Sequence, residues 1–387
     1  MKKIGVFLGD WFWSSVPYDG LVLYHYLKKS YNVDLILFKD DIRLNKKDFS
    51  GTEFRFDSNK FTKCKDLKVV DNWGGINNLT KEYDLIITSP ILAPKTRGGY
   101  TKLLQSKCPV AIWDIGGVDL LTGYQQHANY FFVKGQIWKD WLIEDRGISA
   151  ENIFVTGCPH YDYYLNDVGC SFANSLTSDA FNKKYSLDKS KKKLLIAPSN
   201  PKSHTEQYDK NIKLLGNIIK VAKDYNYEVL VKTYPNDYVF YENDPQYSGI
   251  YHRKRYSEPQ YKNLKNKFND ITIIQSQDHH TAVRDSDLIF NMAGSSIAWD
   301  TYFTKSKSFT HHFKNQPYYK TLSYLSDKII LPDQYINYHL EDAETLESVF
   351  ENGFDINKSV ISSYISKEFS LKNISKAVGF ILRGEVK

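Results

Sequence analysis

The chain has 387 residues, of which 42% are hydrophobic and 25% charged. This composition is typical of a folded globular protein and excludes the disordered, collagen-like and disulfide-scaffold classes. The length predicts two domains, because one hydrophobic core rarely serves so long a chain. Lys and Arg number 51 against 45 Asp and Glu, and the resulting charge of +6 permits a polyanionic partner without demanding one.

The cysteines and the hydropathy pattern indicate the cellular compartment of the protein. Its four cysteines form no C-x-x-C pair, so we expect neither a zinc site nor a disulfide framework but reduced thiols in a cytoplasm. The apolar stretch near the amino terminus ends at Asp10 and is too short for a signal peptide. No stretch approaches the ~20 apolar residues that span a bilayer. We therefore expect a cytoplasmic protein with no transmembrane segment.

Short apolar runs alternate with helical patterns over the first 165 residues, which predicts a parallel sheet with helices on both faces. The predicted strands are 4–8, 33–38, 84–87, 110–113, 130–133 and 153–156, and residues 21–27 are predicted as part of a helix. The alternation restarts later in the chain. There the predicted strands are 194–197, 228–232, 271–274 and 287–290, with a helix at 211–224.

These patterns predict an α/β fold with two facing Rossmann-like domains and a cleft between them. The first domain is predicted at 1–168 and the second at 194–359. The Ser-, Asn- and Lys-rich segment 169–193 is interpreted as the connection, and a helical segment at 360–387 is expected to pack back on the first domain. Because open α/β sheets bind ligands at the carboxyl ends of their strands, we expect function at those ends.

The strongest motif follows the predicted strand 287–290. Gly294 introduces a turn, Ser295 and Ser296 open a helix, and Asp300 follows one helical turn after Ser296. Free amides and hydroxyls at a helix start suit a diphosphate, and Asp300 can accept hydrogen bonds from ribose hydroxyls. The competing interpretation is an ordinary serine cap with a solvated acid.

Two other strand ends in the same domain carry polar residues. Lys232 follows three apolar residues and can hold a phosphate as a point charge, unless it is a surface lysine at a strand exit. Ser199 and Asn200 follow strand 194–197, as expected for a loop that contacts sugar or phosphate. These residues, with the Gly294–Ser296 turn and Asp300, form the predicted nucleotide-sugar site.

In the first domain, Asp114 ends the predicted strand 110–113. A carboxylate there can take the proton from an attacking hydroxyl, or it can simply tie down the following loop. Asp10 is the second candidate for this base. The loop that carries Asp10, after the first predicted strand, also carries aromatic residues that either pack beneath it or stack on a ligand, namely Trp11, Trp13 and Tyr18.

Other motifs weigh against several classes of chemistry. The adjacent pairs at 279–280 and 311–312 are histidines, and neighbours in sequence share no helix or strand face, which disfavours metal ligation. P-loop, G-x-S-x-G and H-E-x-x-H motifs do not occur in the sequence, so kinase and hydrolase interpretations lose their usual support. We expect no metal and no cofactor beyond a nucleotide-sugar co-substrate.

The order of elements over nearly the whole chain resembles the GT-B glycosyltransferases, which bind a nucleotide sugar in their second domain. Residues 157–162, Gly-Cys-Pro-His-Tyr-Asp, are similar to the G-x-P-x-x-D segment of surface-polymer enzymes. That group includes CDP-glycerol glycerophosphotransferases, capsule glycosyltransferases and nucleotide-sugar 2-epimerases. The chain departs from the glycerophosphotransferases at 113–116, where they have H-G-T-P, and at 232–235, which lacks the histidine of their K-x-H-P.

A second resemblance is to the DNA glucosyltransferase of T-even phages, which modifies 5-hydroxymethylcytosine. Residues 16–17, 32–36 and 83–87 follow the order of that enzyme, and residues 299–301 resemble a Trp-acid-Thr in its nucleotide domain. Its proposed catalytic aspartate ends the strand that matches 110–114. Its serine-rich and arginine-rich donor contacts are not reproduced here.

These resemblances imply a glycosyltransferase, a hexosyl- or pentosyltransferase, that uses a UDP-sugar. The leading hypothesis places the sugar on a 5-hydroxymethylpyrimidine of double-stranded phage DNA, inside the host cytoplasm. Asp114 would deprotonate the hydroxyl, Trp11, Trp13 and Tyr18 would line the flipped-base site, and Lys95 and Arg97 would contact phosphate. The alternative is a cytoplasmic, teichoic-acid-like glycosyltransferase of capsule or cell-wall polymer synthesis, with a lipid-linked or polymer acceptor. A non-catalytic nucleotide-sugar or DNA-binding module is the third.

Overall fold

The computed structural model describes the backbone of most of the chain. The described residues are 2–8, 16–38, 64–70, 73–89, 103–113, 127–165, 176–197, 205–232, 265–274, 278–292, 297–311, 347–348, 350–351, 362 and 365–385. The chain divides into two compact units. The first unit comprises residues 1–50, 54–173 and 359–387, and the second comprises 51–53 and 174–358.

Each unit is built on a parallel sheet. Among the described residues of the first unit, seven strands pair in the order β3-β2-β1-β4-β5-β6-β7. They are β1 Lys3–Phe7, β2 Asn32–Phe38, β3 Leu67–Val70, β4 Leu85–Thr88, β5 Val110–Trp113, β6 Tyr130–Val133 and β7 Ile153–Val155. In the described part of the second unit, five strands pair in the order β10-β9-β8-β11-β12. They are β8 Lys192–Ala197, β9 Tyr227–Lys232, β10 Ile271–Ile274, β11 Leu288–Met292 and β12 Lys307–His311.

Helices connect these strands and cover the sheets. In the described residues they are α1 Val16–Leu27, α2 Trp73–Leu79, α3 Gln136–Glu144, α4 Asp162–Leu165, α5 Ser178–Tyr185, α6 Thr205–Asp224, α7 His279–Arg284, α8 Ile297–Asp300 and α9 Ser370–Arg383. Because helices lie against the sheets, central strands such as β4 and β5 are buried along their whole length. The α/β architecture expected from the sequence is confirmed. No helix within the described ranges is both long enough and apolar enough to cross a membrane.

Two of the four edge strands, β3 and β12, escape the sequence pattern. In β3 only Val70 is buried, and Val69 is 47% exposed. The other, β12, reads Lys-Ser-Phe-Thr-His and pairs with β11 on one side. An edge strand needs less apolar sequence than a central one, so neither produces a buried run.

The segment interpreted as a connection, 169–193, differs from that expectation where it is described. Residues 178–185 form α5, and β8 begins at Lys192, so both belong to the second unit. Thr177 caps α5 by accepting a hydrogen bond from the amide of Ala180 at 3.3 Å, and Phe181 is fully buried. One buried aromatic side chain per two helical turns is a weak sequence signal, which explains why the polar composition dominated the interpretation.

The last helix, α9, belongs to the first unit. Its apolar residues recur every three or four positions and are buried together with residues of β1, β2 and α1 in one core; they are Leu371, Ile374, Ala377, Val378 and Ile381. The hydroxyl of Tyr31, which follows α1, donates a hydrogen bond to the carbonyl of Ser375 at 3.1 Å. The helix therefore completes the core of a sheet whose strands lie more than 200 residues earlier.

Asp162 anchors the amino end of α9. Its fully buried carboxylate accepts hydrogen bonds from the amides of Ser370 at 2.9 Å and Leu371 at 3.0 Å, and from the Ser370 hydroxyl at 2.8 Å. Phe369, at the capping position itself, has no capping side chain. Gly157 allows its own segment and the segment before α9 to approach closely. Its φ is +82°, and a Cβ there would lie 3.2 Å from the carbonyl oxygen of Glu368. The segment that resembles G-x-P-x-x-D is thus the place where α9 docks.

Gly20 of α1 marks a second close approach, and replacing it with alanine is expected to destabilise the first unit by about 1–3 kcal/mol. An added Cβ would lie 2.0 Å from Cδ2 of the buried Leu8 and 3.4 Å from the Trp113 ring. In an open helix the same change stabilises by up to ~1 kcal/mol. Gly75 of α2 is the matched control, since its Cβ would meet Val70 at an ordinary 3.5 Å. Urea unfolding of both variants measures the difference, and equal midpoints would contradict the steric argument.

Candidate functional site

The second sheet reverses its strand order between β8 and β11. From β8 the chain moves outward to β9 and β10, and then returns to add β11 and β12 on the other side. The parallel register places Asn291 of β11 opposite Ala197 of β8. In open α/β folds this reversal opens a crevice outside the carboxyl ends of the strands, where ligands bind. In sequence, Ser199 and Asn200 follow β8, and the turn Gly294–Ser296 follows β11.

Lys232 is the last residue of β9, and it is only 8% exposed. It pairs in register with Ile274 of β10, and the three preceding residues, 229–231, are buried. This burial excludes the interpretation of Lys232 as an exposed surface lysine. A buried ammonium group is costly unless charge or hydrogen bonds compensate it.

Asp300 is equally well removed from solvent, being 1% exposed at the end of α8. Its carboxylate oxygen Oδ2 lies 2.6 Å from Nε2 of His279, the first residue of α7. The two side chains are 2% and 13% exposed. Asp300 is therefore not the solvated acid of the competing interpretation but one half of a buried Asp–His pair.

Hydrogen bonds tie α7 to α5 at both of its ends. At the start, the Asp278 carboxylate pairs with the Lys184 ammonium at 2.9 Å and accepts a hydrogen bond from the Tyr185 hydroxyl. At the end, the Arg284 guanidinium donates to the hydroxyl of Ser178, the first residue of α5, at 3.3 Å, and to the carbonyl of Leu176, just before α5, at 3.2 Å. With both ends held, α7 presents His279 from a fixed position.

Neighbouring polar groups of α7 reinforce this anchoring. The Thr281 hydroxyl donates to the carbonyl of Leu176 at 3.0 Å. The Ser306 hydroxyl, just before β12, lies 2.9 Å from the carbonyl of Val283 and 2.7 Å from that of Ser286. Two residues after Asp300, burial raises the pKa of Tyr302 above its ordinary value. The protein around the Asp300–His279 pair is thus closely hydrogen-bonded.

Most predicted site residues lie outside the described residues. In the second unit these are Ser199, Asn200, Gly294, Ser295 and Ser296, and in the first they are Asp10, Trp11, Trp13, Lys95, Arg97 and Asp114. The side chain of Tyr18 also lies outside the described set, although its backbone forms part of α1. Trp113, immediately before Asp114, is fully buried as the last residue of β5.

Sequence reasoning missed His279 and its support. His279 was considered only as half of an adjacent histidine pair, and its partner Asp300 lies 21 residues away at no regular spacing. The residues in and just before α5 that hold α7 lie 93 and 108 residues from their partners. An acid one helical turn after the serine pair at a strand end was the one available signal, and it led to Asp300 alone.

No protein-family model and no curated protein matches the sequence. Solved structures, in contrast, match over almost its full length. UDP-GlcNAc 2-epimerase from Methanocaldococcus jannaschii superposes with a TM-score of 0.61 at 14% identity, covering 98% of this chain and 99% of that one. The enzyme from Neisseria meningitidis, bound to UDP-GlcNAc, gives 0.58 at 10% identity, with 99% and 100% coverage. A variant of the wall teichoic acid polymerase TagF gives 0.55 at 14% identity, with 100% and 89% coverage.

At such low identity these likenesses establish the fold. The chain has the GT-B-like α/β fold of these structures, with parallel sheets in both of its units. One of the matching structures holds a UDP-sugar, and another is a polymerase of wall teichoic acid. The names of these matching proteins do not refer to DNA.

Proposed function

We propose that this protein is a UDP-sugar-dependent glycosyltransferase of cell-surface polymer synthesis. The observation that carries the proposal is the placement of buried Lys232 and the buried Asp300–His279 pair after the carboxyl ends of β9, β10 and β11. The full-length likeness to nucleotide-sugar enzymes supports it. This acceptor class is the alternative of the sequence analysis, and the structural relatives support it better than modification of phage DNA.

The residues of the second unit would hold the donor. The Lys232 ammonium neutralises charge on the diphosphate, and the turn Gly294–Ser296, with Ser199 and Asn200, supplies further hydrogen-bond donors. Asp300 accepts hydrogen bonds from the ribose hydroxyls. Together these groups bind the parts of a UDP-sugar that do not react and leave the anomeric carbon for the acceptor.

The transfer itself needs a base and an acceptor hydroxyl. Asp114 takes the proton of that hydroxyl, with Asp10 as the second candidate. The hydroxyl oxygen then forms a bond to the anomeric carbon, while the bond from that carbon to the diphosphate breaks and UDP leaves. Trp11, Trp13 and Tyr18 stack on sugars of the acceptor, as aromatic rings commonly do.

The first experiment separates the candidate reactions in parallel incubations with UDP-GlcNAc and UDP-glucose. One contains a lipid-linked saccharide acceptor, one contains duplex DNA with 5-hydroxymethylcytosine, and one contains only D2O buffer. We expect mass gain on the lipid-linked acceptor. Mass gain on the DNA base would restore the phage-DNA hypothesis. Deuterium at C2 of the sugar would show epimerisation instead, because inverting that carbon requires exchange of its hydrogen.

Replacing Lys232 with methionine is expected to weaken UDP binding by about 10- to 100-fold, since a hydrogen bond to a charged group contributes about 1.5–3 kcal/mol. Methionine keeps the length of the side chain and removes its charge. Lys193 is the matched control, because it is 6% exposed in the same sheet but near the amino end of β8. Isothermal titration with UDP measures both variants. Equal losses for Lys193→Met and Lys232→Met would show a general charge effect and refute the assignment.

A further inference from the structure

We propose that His279 is a positioning residue that orients the Asp300 carboxylate toward the ribose of the bound nucleotide. This inference rests on the proposed function, because it assumes that a nucleotide sugar binds at this edge of the second sheet. It adds a residue that neither the sequence motifs nor the comparisons indicate. His279 would act through Asp300, without touching the reacting atoms.

The geometry of the pair supports an orienting role. A carboxylate is planar, so a contact of 2.6 Å between its Oδ2 and His279 Nε2 also fixes the direction of its second oxygen. Both side chains are largely buried, so bulk water competes little for this contact. The Asp300 carboxylate therefore has one preferred orientation before any ligand arrives, which lowers the entropy cost of binding.

The support of His279 is equally specific. Asp278, the residue before it, is 2% exposed and is held by the side chains of Lys184 and Tyr185. Residues 281–283, which follow, are buried against the rest of the unit. The imidazole thus stands on a short helix that is fixed before and after it, as an orienting group requires.

A purely structural role for His279 would make a different prediction. If the imidazole only filled space, any substitution that packs well would preserve nucleotide binding. If it orients Asp300, the substitute must place a hydrogen-bond donor where Nε2 lies. Glutamine does so, because its amide nitrogen reaches about as far as Nε2, whereas the asparagine amide matches Nδ1 and leucine donates nothing.

The test compares UDP with 2′,3′-dideoxy-UDP, which lacks the ribose hydroxyls, by isothermal titration. We expect the wild type to bind UDP at least 10-fold more tightly than the dideoxy compound, since a site built for hydroxyls rejects an analogue without them. His279→Leu should reduce this preference to about 2-fold or less, chiefly by weakening UDP. His279→Gln should retain most of it. A defect of packing alone would weaken both compounds alike.

The matched control is His280→Leu, which removes the adjacent imidazole, whose ring centroid is 4.9 Å from that of His279. It should leave the preference for UDP unchanged. If His279→Leu does not fold, by its thermal unfolding midpoint, the contrast between His279→Gln and His279→Asn replaces it. A wild type that binds UDP without preferring it over the dideoxy compound, or a His279→Leu variant that keeps the preference, overturns the inference. A wild type that binds neither compound overturns the proposed function instead.

Discussion

Replacing Asp162 with alanine is expected to destabilise the first unit by about 3–5 kcal/mol. The change leaves two buried amides and one buried hydroxyl, all at the start of α9, without the carboxylate that accepts from them. Each unsatisfied buried donor costs about 1–3 kcal/mol, and the three losses share one site, so their sum lies below simple addition. Urea unfolding followed by tryptophan fluorescence measures the loss. Amide hydrogen exchange over α9 should accelerate, because this helix is released first.

The control is Asp140→Ala, which removes an exposed acid of α3 in the same unit and should change stability by less than about 0.5 kcal/mol. Similar unfolding midpoints for Asp162→Ala and Asp140→Ala would show that α9 does not depend on this anchor. If the Asp162→Ala variant is destabilised but hydrogen exchange over α9 is unchanged, the lost stability does not come from release of α9.

The same carboxyl gives a pH dependence of known sign. Burial, opposed by the hydrogen bonds from Ser370 and Leu371, raises the pKa of Asp162 to about 7, and the charge of Asp19 adds to the rise. In the unfolded chain an aspartate titrates near a pKa of about 3.9. The folded state therefore holds the proton more tightly, so the stabilisation is complete below about pH 4 and is lost as the pH rises through about 7. The fall in urea midpoint between pH 5 and pH 8 should be smaller in Asp162→Asn than in the wild type.

Replacing Asp114 with asparagine is expected to lower the turnover of sugar transfer by about 100- to 10,000-fold while leaving UDP binding unchanged. The loss follows from removing a general base, and asparagine keeps the size of the side chain without accepting the proton. Asp114 directly follows β5, a fully buried strand between β4 and β6. Initial rates and isothermal titration with UDP give the two readouts.

The control for this variant is Asp84→Asn. Asp84 precedes β4 at the opposite, amino edge, where it accepts a hydrogen bond from the amide of Lys3 at 2.7 Å. Its replacement should affect stability rather than turnover. If Asp114→Asn transfers sugar within a few-fold of the wild-type rate, the base lies elsewhere, and Asp10→Asn becomes the next variant.

Central strands could be predicted from the sequence because burial on both faces leaves a continuous apolar run. Residues 110–113 and 130–133 are predicted to the residue for this reason, and they match the central strands β5 and β6. The edge strand β3 could not be predicted, because a strand with one open side tolerates exposed residues such as Val69. The helix α5 was hidden by a polar composition around a single buried phenylalanine.

Some features of the candidate site could likewise be predicted from the sequence, and others could not. The position of Lys232 at the carboxyl end of β9 could be predicted, because strand direction alone places the ends of parallel strands at one edge of the sheet. The binding roles of Lys232 and Asp300 stay predictions. Their burial could not be predicted, and neither could the contact of Asp300 with His279, because both depend on how separate helices pack. The anchor between Asp162 and Ser370 spans 208 residues, and sequence periodicity carries no information at that distance.

Because α9 packs in the core of the first unit, that unit cannot complete its fold in the order in which the chain is synthesised. On the ribosome β1 to β7 emerge early, but their core lacks the buried stripe of α9 until residues 370–383 have been made. The second unit lies between 174 and 358 apart from three residues, so its sequence is available sooner. The unit that begins first is therefore finished last. Its apolar surface stays incompletely covered, and so prone to aggregation, while roughly 200 more residues are translated, which takes some tens of seconds at about 5–20 residues per second. A nonsense codon between 174 and 370 would consequently remove α9 and damage the amino-terminal unit, whose strands lie far from the lesion in sequence.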